Sequence, residues 1–198
     1  MKEKYKNLPL RSGVGIVVLN NENKVFVAKR IDNPKNFWQM PQGGVDKDEN
    51  YYEAALRELK EETNIISVEL IKEIDKKFTY ILPDHLIGII WKGKFKGQTQ
   101  KWFVMRFIGN ESEININTKH PEFLDWKWIN LDDLPKIAVN FKLDVYKNVK
   151  QEVKKIDKNV VRDALNKAEK DTQNKDISDQ KKYLLDQKIE VLKSLALN

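Results

Sequence analysis

Residues 43–65 read GGVDKDENYYEAALRELKEETNI, and this stretch places a row of acids on a predicted helix. The pattern predicts a helix over residues 49–63. Residues three and four apart are neighbours on a helix, so Glu58, Glu61 and Glu62 would lie within one turn of each other. Like charges at this spacing cost roughly 0.2–0.5 kcal/mol per pair, so the cluster opposes helix formation unless something offsets it.

The residues around this cluster favour a cation site. Gly43 and Gly44 stand before the helix, where the backbone turns tightly or approaches a ligand closely. Glu49, near the predicted helix start, can reach Arg57 and hold it. Aligned carboxylates are hard oxygen ligands that suit Mg²⁺ or Mn²⁺, and not Zn²⁺. The alternative interpretation is a solvated helix face whose charges are compensated locally, for example by the Glu53–Arg57 pair four residues apart.

The composition of the chain predicts one globular domain with an appendage. The 198 residues are 40% hydrophobic and 10% aromatic, which favours a packed core. No apolar run approaches the roughly 20 residues that span a bilayer, and the chain has no cysteine for a disulfide or a thiolate metal site. We therefore expect a soluble cytoplasmic protein without a membrane partner. The net charge of +6 hints at anionic partners.

Short apolar, β-branched runs predict a sheet of several strands. GVGIVVL (residues 13–19) and KVFVAKR (residues 24–30) flank the turn-forming NNEN and predict a hairpin. Further strands are predicted at 66–74, 78–82, 86–91, 101–109 and 126–130, and a short turn or helix at 131–135. Strands flanked by two or three helices predict an α/β (α+β) layer fold.

The C-terminal part of the chain is predicted to be helical. From about Ile137, apolar residues recur at Val145, Val149, Val153, Ile156 and Val160, spacings of three or four that indicate one face of a long helix. Residues 169–180 are polar and predict a linker. A second amphipathic helix follows, with its apolar face formed by Leu185, Ile189 and Leu192. We expect a domain at 1–158 and a helical extension at 159–198, which packs back on the domain or instead joins a second copy or a protein partner.

The acidic stretch resembles the Nudix box, a pattern of glycine, five residues, glutamate, seven residues and then Arg-Glu-hydrophobic-x-Glu-Glu-x-Gly-hydrophobic. The matching positions are Gly43, Glu49, Arg57, Glu58, Leu59, Glu61, Glu62 and Ile65. Asn64 stands where the family has glycine, and asparagine also tolerates the left-handed end of a helix. The resemblance implies a Nudix-type mixed sheet sandwiched between helices, and metal-dependent hydrolysis of a nucleoside diphosphate linked to another group.

Four further segments resemble one branch of that family. They are WQMPQGG at 38–44, GQTQKWFVMRF at 97–107, PEFLDWKW at 121–128 and NFKLDVY at 140–146. The branch contains bacterial RNA 5′-pyrophosphohydrolases and dinucleoside polyphosphate hydrolases. This resemblance implies removal of pyrophosphate from 5′-triphosphorylated RNA, with dinucleoside polyphosphates as the alternative substrate. A nucleotide-binding module without catalysis is a remote alternative, because the box keeps every acid.

The resemblance also implies a role for each acid. Glu58, Glu61 and Glu62 match the family's metal-binding carboxylates, with Mg²⁺ or Mn²⁺ as the cofactor. Glu122 matches a distal glutamate that joins the metal site or positions water. Among these acids we favour Glu58 as the general base, and Glu62 and Glu122 remain candidates. Arg57 matches the box arginine, a structural clamp on Glu49.

The substrate-binding residues follow from the same resemblance. Arg11 matches an arginine that contacts phosphates, although Ser12 replaces the branch's usual proline and would leave Arg11 less rigidly placed. Phe141 matches an aromatic that stacks on a base, and Lys142 a lysine that meets phosphate. Arg30 has the right chemistry for phosphate, and Gln42 lies in the WQMPQGG segment, so both are further candidates. Without the family match, Phe141 would more often be a core residue, and the five tryptophans are core or strand-face residues by default.

The segment GIIWKGKF at 88–95 nearly spells a Walker A loop. Phe95 stands where serine or threonine would bind Mg²⁺, and the residues that follow do not read as a helix. The sequence therefore does not predict a P-loop. The surplus of lysines in the tail is interleaved with acids, which favours a solvated helix face over an RNA-binding surface.

Overall fold

The structure is a computed structural model that describes residues 2–32, 37–156, 168–172 and 178–196. Its strands are β1 Leu10–Leu19, β2 Val25–Arg30, β3 Trp38–Gln39, β4 Gln42–Gly44, β5 Val68–Ile81, β6 Gly97–Phe107 and β7 Phe123–Ile129. Its α-helices are α1 Tyr51–Thr63, α2 Asp84–Ile87, α3 Leu134–Ile137, α4 Leu143–Lys154 and α5 Asp179–Ala196.

The sheet is mixed and centred on β1. Its main path runs β3-β2-β1-β6-β5, while β4 pairs with β1 and β7 pairs with β2. β1 and β6 are parallel from Leu10↔Gly97 to Leu19↔Arg106. The predicted hairpin is present but short, because β1 and β2 share only the Leu19↔Val25 pair before they diverge.

Helices cover both faces of this sheet, which confirms the predicted layers. One core combines sheet residues such as Val17 and Trp102 with Val145 and Val149 of α4. The other combines Val14 and Phe103 with three residues of α1: Ala54, Ala55 and Leu59. The sheet therefore lies between α4 on one face and α1 on the other.

Helix α1 has well-defined ends. Asn50 caps its first turn in a reciprocal capping box with Glu53. Asn64 ends it in the left-handed conformation at φ 61°, and its N–H donates to the Lys60 carbonyl at 2.8 Å. The predicted tolerance of asparagine at this helix end is thereby confirmed. The helix begins at Tyr51, so Glu49 lies just before it and not inside it.

Two strand predictions were wrong. The runs at 66–74 and 78–82 form one strand, β5, which crosses the polar segment between them with register shifts against β6. The run at 86–91 is helical, with α2 ending at Ile87 and a 3-10 turn at Ile90–Gly93. Pro83 starts this helical segment with its fixed φ, and the left-handed backbone at Trp91, Lys92 and Gly93 is incompatible with a strand.

The C-terminal helices pack on their own chain. The predicted long helix is interrupted by an extended backbone at Ala138 and Val139, so α4 starts only at Leu143, and Val160 lies outside the described residues. Residues 168–172 are helical, unlike the predicted linker, of which 173–177 lie outside the described residues. The three predicted apolar residues of α5 belong to one hydrophobic cluster with Ala168 and Ile156; they are Leu185, Ile189 and Leu192. Use of α5 by a second copy or a partner remains a prediction.

No helix in the described ranges is long and apolar enough to cross a membrane.

Candidate active site

Arg57 and Glu49 form the predicted clamp at the start of α1. Arg57 Nε and Nη2 donate to the two carboxylate oxygens of Glu49 at 2.8 and 2.9 Å, and Nη2 also donates to the Gly44 carbonyl at 2.9 Å. This bidentate pair is the stronger kind of charged hydrogen bond. The hydrogen bond from Arg57, followed by one from the Asp46 backbone, lowers the pKa of Glu49 to about 2.

The remaining nitrogen of Arg57, Nη1, compensates the charge repulsion between two acids of the row. Its Nη1 donates to Glu58 Oε1 at 3.0 Å and to Glu61 Oε2 at 3.2 Å. One guanidinium therefore compensates two neighbouring carboxylates and ties both to Glu49. Side-chain exposure is only 16% at Glu58 and 15% at Glu49, which does not fit a solvated face, whereas Glu61 is 59% exposed.

Glu58 lies against the glycine turn that precedes α1. Its Oε1 accepts a hydrogen bond from the Gly44 N–H at 3.0 Å. A Cβ atom at Gly43 would collide with the Glu58 carboxylate, so the close approach requires glycine there. Burial raises the pKa of Glu58, and Arg57 opposes that shift.

Glu62 is the most buried acid of the row. Only 4% of it is exposed, and its Oε2 accepts from the Gln42 N–H at 3.1 Å. Burial, followed by the charge of nearby Glu122, raises the pKa of Glu62 well above its usual range. The influence of Glu122 shows that the distal glutamate named from the sequence does lie near the box.

Arg30 holds Glu122 and is itself fully engaged by acids. Its Nη1 donates to Glu122 Oε2 at 2.9 Å, while Nε and Nη2 donate to the two oxygens of Asp32 at 2.7 and 2.8 Å. Arg30 was predicted as a candidate phosphate contact, but its three side-chain nitrogens already donate to Asp32 and Glu122. In this structure it orients Glu122.

The four acids have the chemistry that a divalent cation needs. Each of them uses one oxygen in a hydrogen bond within the protein, and the other oxygen accepts none from the described residues: Glu58, Glu61, Glu62 and Glu122. Among those residues no group of three or more acids, histidines or cysteines is already gathered to hold a metal. Mutual repulsion and the bonds to Arg57 and Arg30 explain this spread. Free hard oxygens, and the raised pKa values of Glu58 and Glu62, fit a divalent cation as the compensating charge.

Lys142 is a buried cation near these acids. It is 7% exposed, with Nζ 3.5 Å from Gln39 Oε1 and 5.1 Å from the centre of the Tyr80 ring, and it forms no ion pair with any described residue. Burial, followed by repulsion from Arg30, lowers its pKa to about 7. Phe141 packs against the core and is only partly buried; the centre of its ring lies 5.7 Å from the centre of the Tyr80 ring.

Two glutamines of β6 complete this region, and the sequence reasoning did not assign them. Gln98 donates to the Gly43 carbonyl at 3.0 Å, and Gln100 donates to Gln42 Oε1 at 3.1 Å. Both are almost fully buried, yet Gln100 Oε1 and Gln39 Nε2 have no hydrogen-bond partner among the described residues. Such orphaned buried atoms need an explanation, and a ligand or water is a usual one. The sequence did contain an indication of their role, because polar glutamines at alternate positions of a buried strand are unusual.

Arg11 lies at the start of β1, beside the glycine turn. A Cβ atom at Gly44 would collide with its guanidinium, and its Cζ is 5.4 Å from the centre of the Trp91 ring. The neighbouring Ser12 is tied down by its side chain, since its Oγ lies 3.0 Å from the Tyr51 hydroxyl. The loss of rigidity expected from serine in place of proline stays a prediction.

Comparison with known proteins places the chain in a family. A family model described as "NUDIX domain" matches residues 9–149, and the chain belongs to the Nudix family. It is 66% identical over 156 residues to a protein of Pelagibacter ubique (strain HTCC1062) named RNA pyrophosphohydrolase, covering 79% of this chain and 99% of that one. A protein of the same name from Orientia tsutsugamushi (strain Boryong) is 44% identical, covering 73% and 90% of the two chains.

Solved structures agree on the fold. The E. coli dihydroneopterin triphosphate pyrophosphohydrolase matches with a TM-score of 0.54 and 21% identity, covering 71% of this chain and 96% of that one. A C. elegans Ap4A hydrolase in a binary complex matches with a TM-score of 0.53 and 22% identity, covering 73% and 98%. At this identity the likeness confirms the Nudix-type fold and does not select a substrate.

Proposed function

We propose that this chain is an RNA 5′-pyrophosphohydrolase of the cytoplasm. It removes pyrophosphate from the 5′-triphosphate end of RNA and leaves a 5′-monophosphate end, which promotes decay of the transcript. The observation that carries this proposal is the 66% identity along 99% of a relative that bears this name. The site chemistry supports it, because acids for a metal and cations for phosphate lie within one region.

Glu58, Glu61, Glu62 and Glu122 are the residues that would hold the divalent cation, Mg²⁺ or Mn²⁺. When bound, such an ion lowers the pKa of a water molecule and offsets the charge of phosphate oxygens. The clamp of Glu49 and Arg57, together with the glycine at position 43, keeps the box acids in place.

Glu58 is the group best suited to accept a proton. Its Oε2 is free of hydrogen bonds among the described residues, while Oε1 is fixed by Arg57 and by the Gly44 N–H. Burial raises its pKa, which makes it a better base near neutral pH than an ordinary carboxylate. Glu122 has its Oε2 taken by Arg30, and Glu62 is more deeply buried, so both suit metal binding better.

Arg11 and Lys142 supply positive charge for the triphosphate. Neither forms an ion pair with a described acid, so their charge is available to phosphate oxygens. Phe141, which is partly exposed beside Tyr80, would stack on a base; such stacking is worth about 1–3 kcal/mol and tolerates any base. Gln42 lies between the acids and the glutamines of β6 and would contact the same phosphates.

The test compares two substrates on one enzyme preparation. We expect kcat/KM for 5′-triphosphorylated RNA to exceed that for diadenosine tetraphosphate, with monophosphorylated RNA and pyrophosphate as products. A preference for the dinucleotide would overturn the RNA assignment and support a dinucleoside polyphosphate hydrolase. The Glu58→Gln variant is the control, because equal turnover by it would show that neither activity comes from this site.

A further inference from the structure

An unusual backbone turn lies next to Arg11. Trp91, Lys92 and Gly93 follow each other in the left-handed region, with φ values of 52°, 57° and 71°. Non-glycine residues rarely adopt this conformation, and it persists where the surrounding structure holds it. The turn carries the Trp91 ring to Arg11, and Phe95 packs edge-on against that ring at 6.1 Å.

Arg11 lies between this ring and the backbone of Gly44. Its Cζ is 5.4 Å from the ring centre, and a Cβ atom at Gly44 would collide with its guanidinium. Its side chain makes no hydrogen bond or ion pair within the described part of the chain. A cation over an aromatic ring is attracted by the electrons of the ring and needs no hydrogen bond for this, so the N–H donors of Arg11 stay free.

The other described arginines are held differently. Arg30 and Arg57 donate to carboxylates, and Arg106 donates to the Asn20 carbonyl and to Asn23 Oδ1. Each of these three side chains therefore already donates hydrogen bonds within the protein, although Arg106 Nε has no partner among the described residues. Among these four, Arg11 alone makes no such hydrogen bond and lies over an aromatic ring.

We propose that Trp91 is a positioning residue, which holds the Arg11 guanidinium against Gly44 with its donors free for the phosphates of the substrate. The identity of that substrate rests on the proposed function; the contact itself does not. Trp91, which the sequence assigned to core or strand packing by default, would thus support the phosphate-binding side chain of Arg11.

The kinetic test is a double-mutant cycle. Trp91→Ala should raise KM for triphosphorylated RNA by about threefold to thirtyfold, the range of a cation–π contact, with little change in kcat. Trp91→Phe should restore most of the lost affinity. In an Arg11→Met background, Trp91→Ala should add little, because its partner is gone. Independent, multiplying effects of the two substitutions would overturn the proposal.

A second readout does not depend on activity. The Nε–Hε signal of Arg11, identified by its loss in Arg11→Lys, should shift in the NMR spectrum of Trp91→Ala as the ring current disappears. Ile89→Ala is the matched control, since Ile89 lies on the same segment and is 74% exposed; it should leave the signal in place. An unmoved Arg11 signal in Trp91→Ala would refute the stacked contact. A shifted signal in a protein that does not hydrolyse RNA would refute the proposed function alone.

Discussion

The acids along α1 and the cations beside them differ in how their charges are balanced. Glu58 and Glu61 share Arg57, Glu122 binds Arg30, and Glu62 accepts a backbone N–H. Arg11 and Lys142 have no acid partner among the described residues. The acidic side is thus held in shape by the protein and keeps one free oxygen per carboxylate. The cationic side obtains its partner only when an anion arrives.

The largest effect is expected from removing the charge of Glu58, the proposed general base on the acidic side. Glu58→Gln keeps the shape and the acceptor oxygen but removes the charge, so kcat should fall by about 10²- to 10⁴-fold while the fold persists. Initial rates and circular dichroism measure the two outcomes. Glu53→Gln on the same helix is the control, since glutamine also serves in a capping box. Near-normal turnover by Glu58→Gln would refute the assignment.

Loosening the support of the acids should cost less. Arg57→Lys keeps a positive charge but loses the paired hydrogen bonds to Glu49, so Glu58 and Glu61 lose their common partner. Supporting residues of this kind are typically worth 10- to 100-fold in metal affinity or activity. Titration with Mn²⁺, followed by electron paramagnetic resonance, measures the affinity. Unchanged Mn²⁺ binding would show that the clamp does not organise the site.

The cationic side should respond to pH. Since the pKa of Lys142 is about 7, its charge is lost as the pH rises through neutrality. A charged hydrogen bond is worth roughly 1.5–3 kcal/mol, so Lys142→Met should lower kcat/KM about 10- to 100-fold at pH 6 and much less at pH 9. Equal losses at both pH values would contradict the shifted pKa.

The same group gives a stability prediction of known sign. Lys142 has a lower pKa in the folded state than its ordinary value of 10.5, so between pH 7 and 10.5 the unfolded state binds more protons. The contribution of this residue to the free energy of unfolding therefore rises with pH across that window. Urea unfolding of the wild type and Lys142→Met at several pH values should show the rise only in the wild type.

The smallest effect is expected away from both sides. Asn64 is left-handed at the end of α1, so Asn64→Gly should be nearly neutral, whereas Asn64→Ala should cost about 1–2 kcal/mol. Thermal unfolding measures both. Kinetic constants should stay unchanged in either variant, and a large loss of activity in Asn64→Gly would show that this helix end shapes the acids.

The sequence was most informative where the partners lie within one short stretch. Glu58, Glu61 and Glu62 lie within one turn of α1, as helical spacing predicted, and Glu49 reaches Arg57 from just before the helix, as expected. The glycine turn and the left-handed Asn64 followed from backbone sterics in the same way. The roles of Glu122, Phe141 and Lys142, by contrast, came from the resemblance.

The sequence was least informative where partners come from different elements. Arg30 has the chemistry of a phosphate ligand, and only the fold reveals Glu122 at its side. The apolar residues at 86–91 fit a strand, but the segment begins inside α2 and ends in the left-handed turn of Trp91, Lys92 and Gly93. The contact of Trp91 with Arg11 depends on that same backbone, which periodicity does not describe.

The parallel pairing of β1 with β6 has a consequence for the making of this protein. Arg11 pairs with Gln98 across it, so the two sides of the pocket come from widely separated parts of the chain. Such distant pairings form slowly, because the intervening loop must close first. During translation, an emerging chain that stops before Gly97 leaves the N–H and C=O groups along one edge of β1 unpaired. Ribosome-bound fragments of that length should therefore recruit chaperones, and they should lose this dependence once β6 has left the exit tunnel.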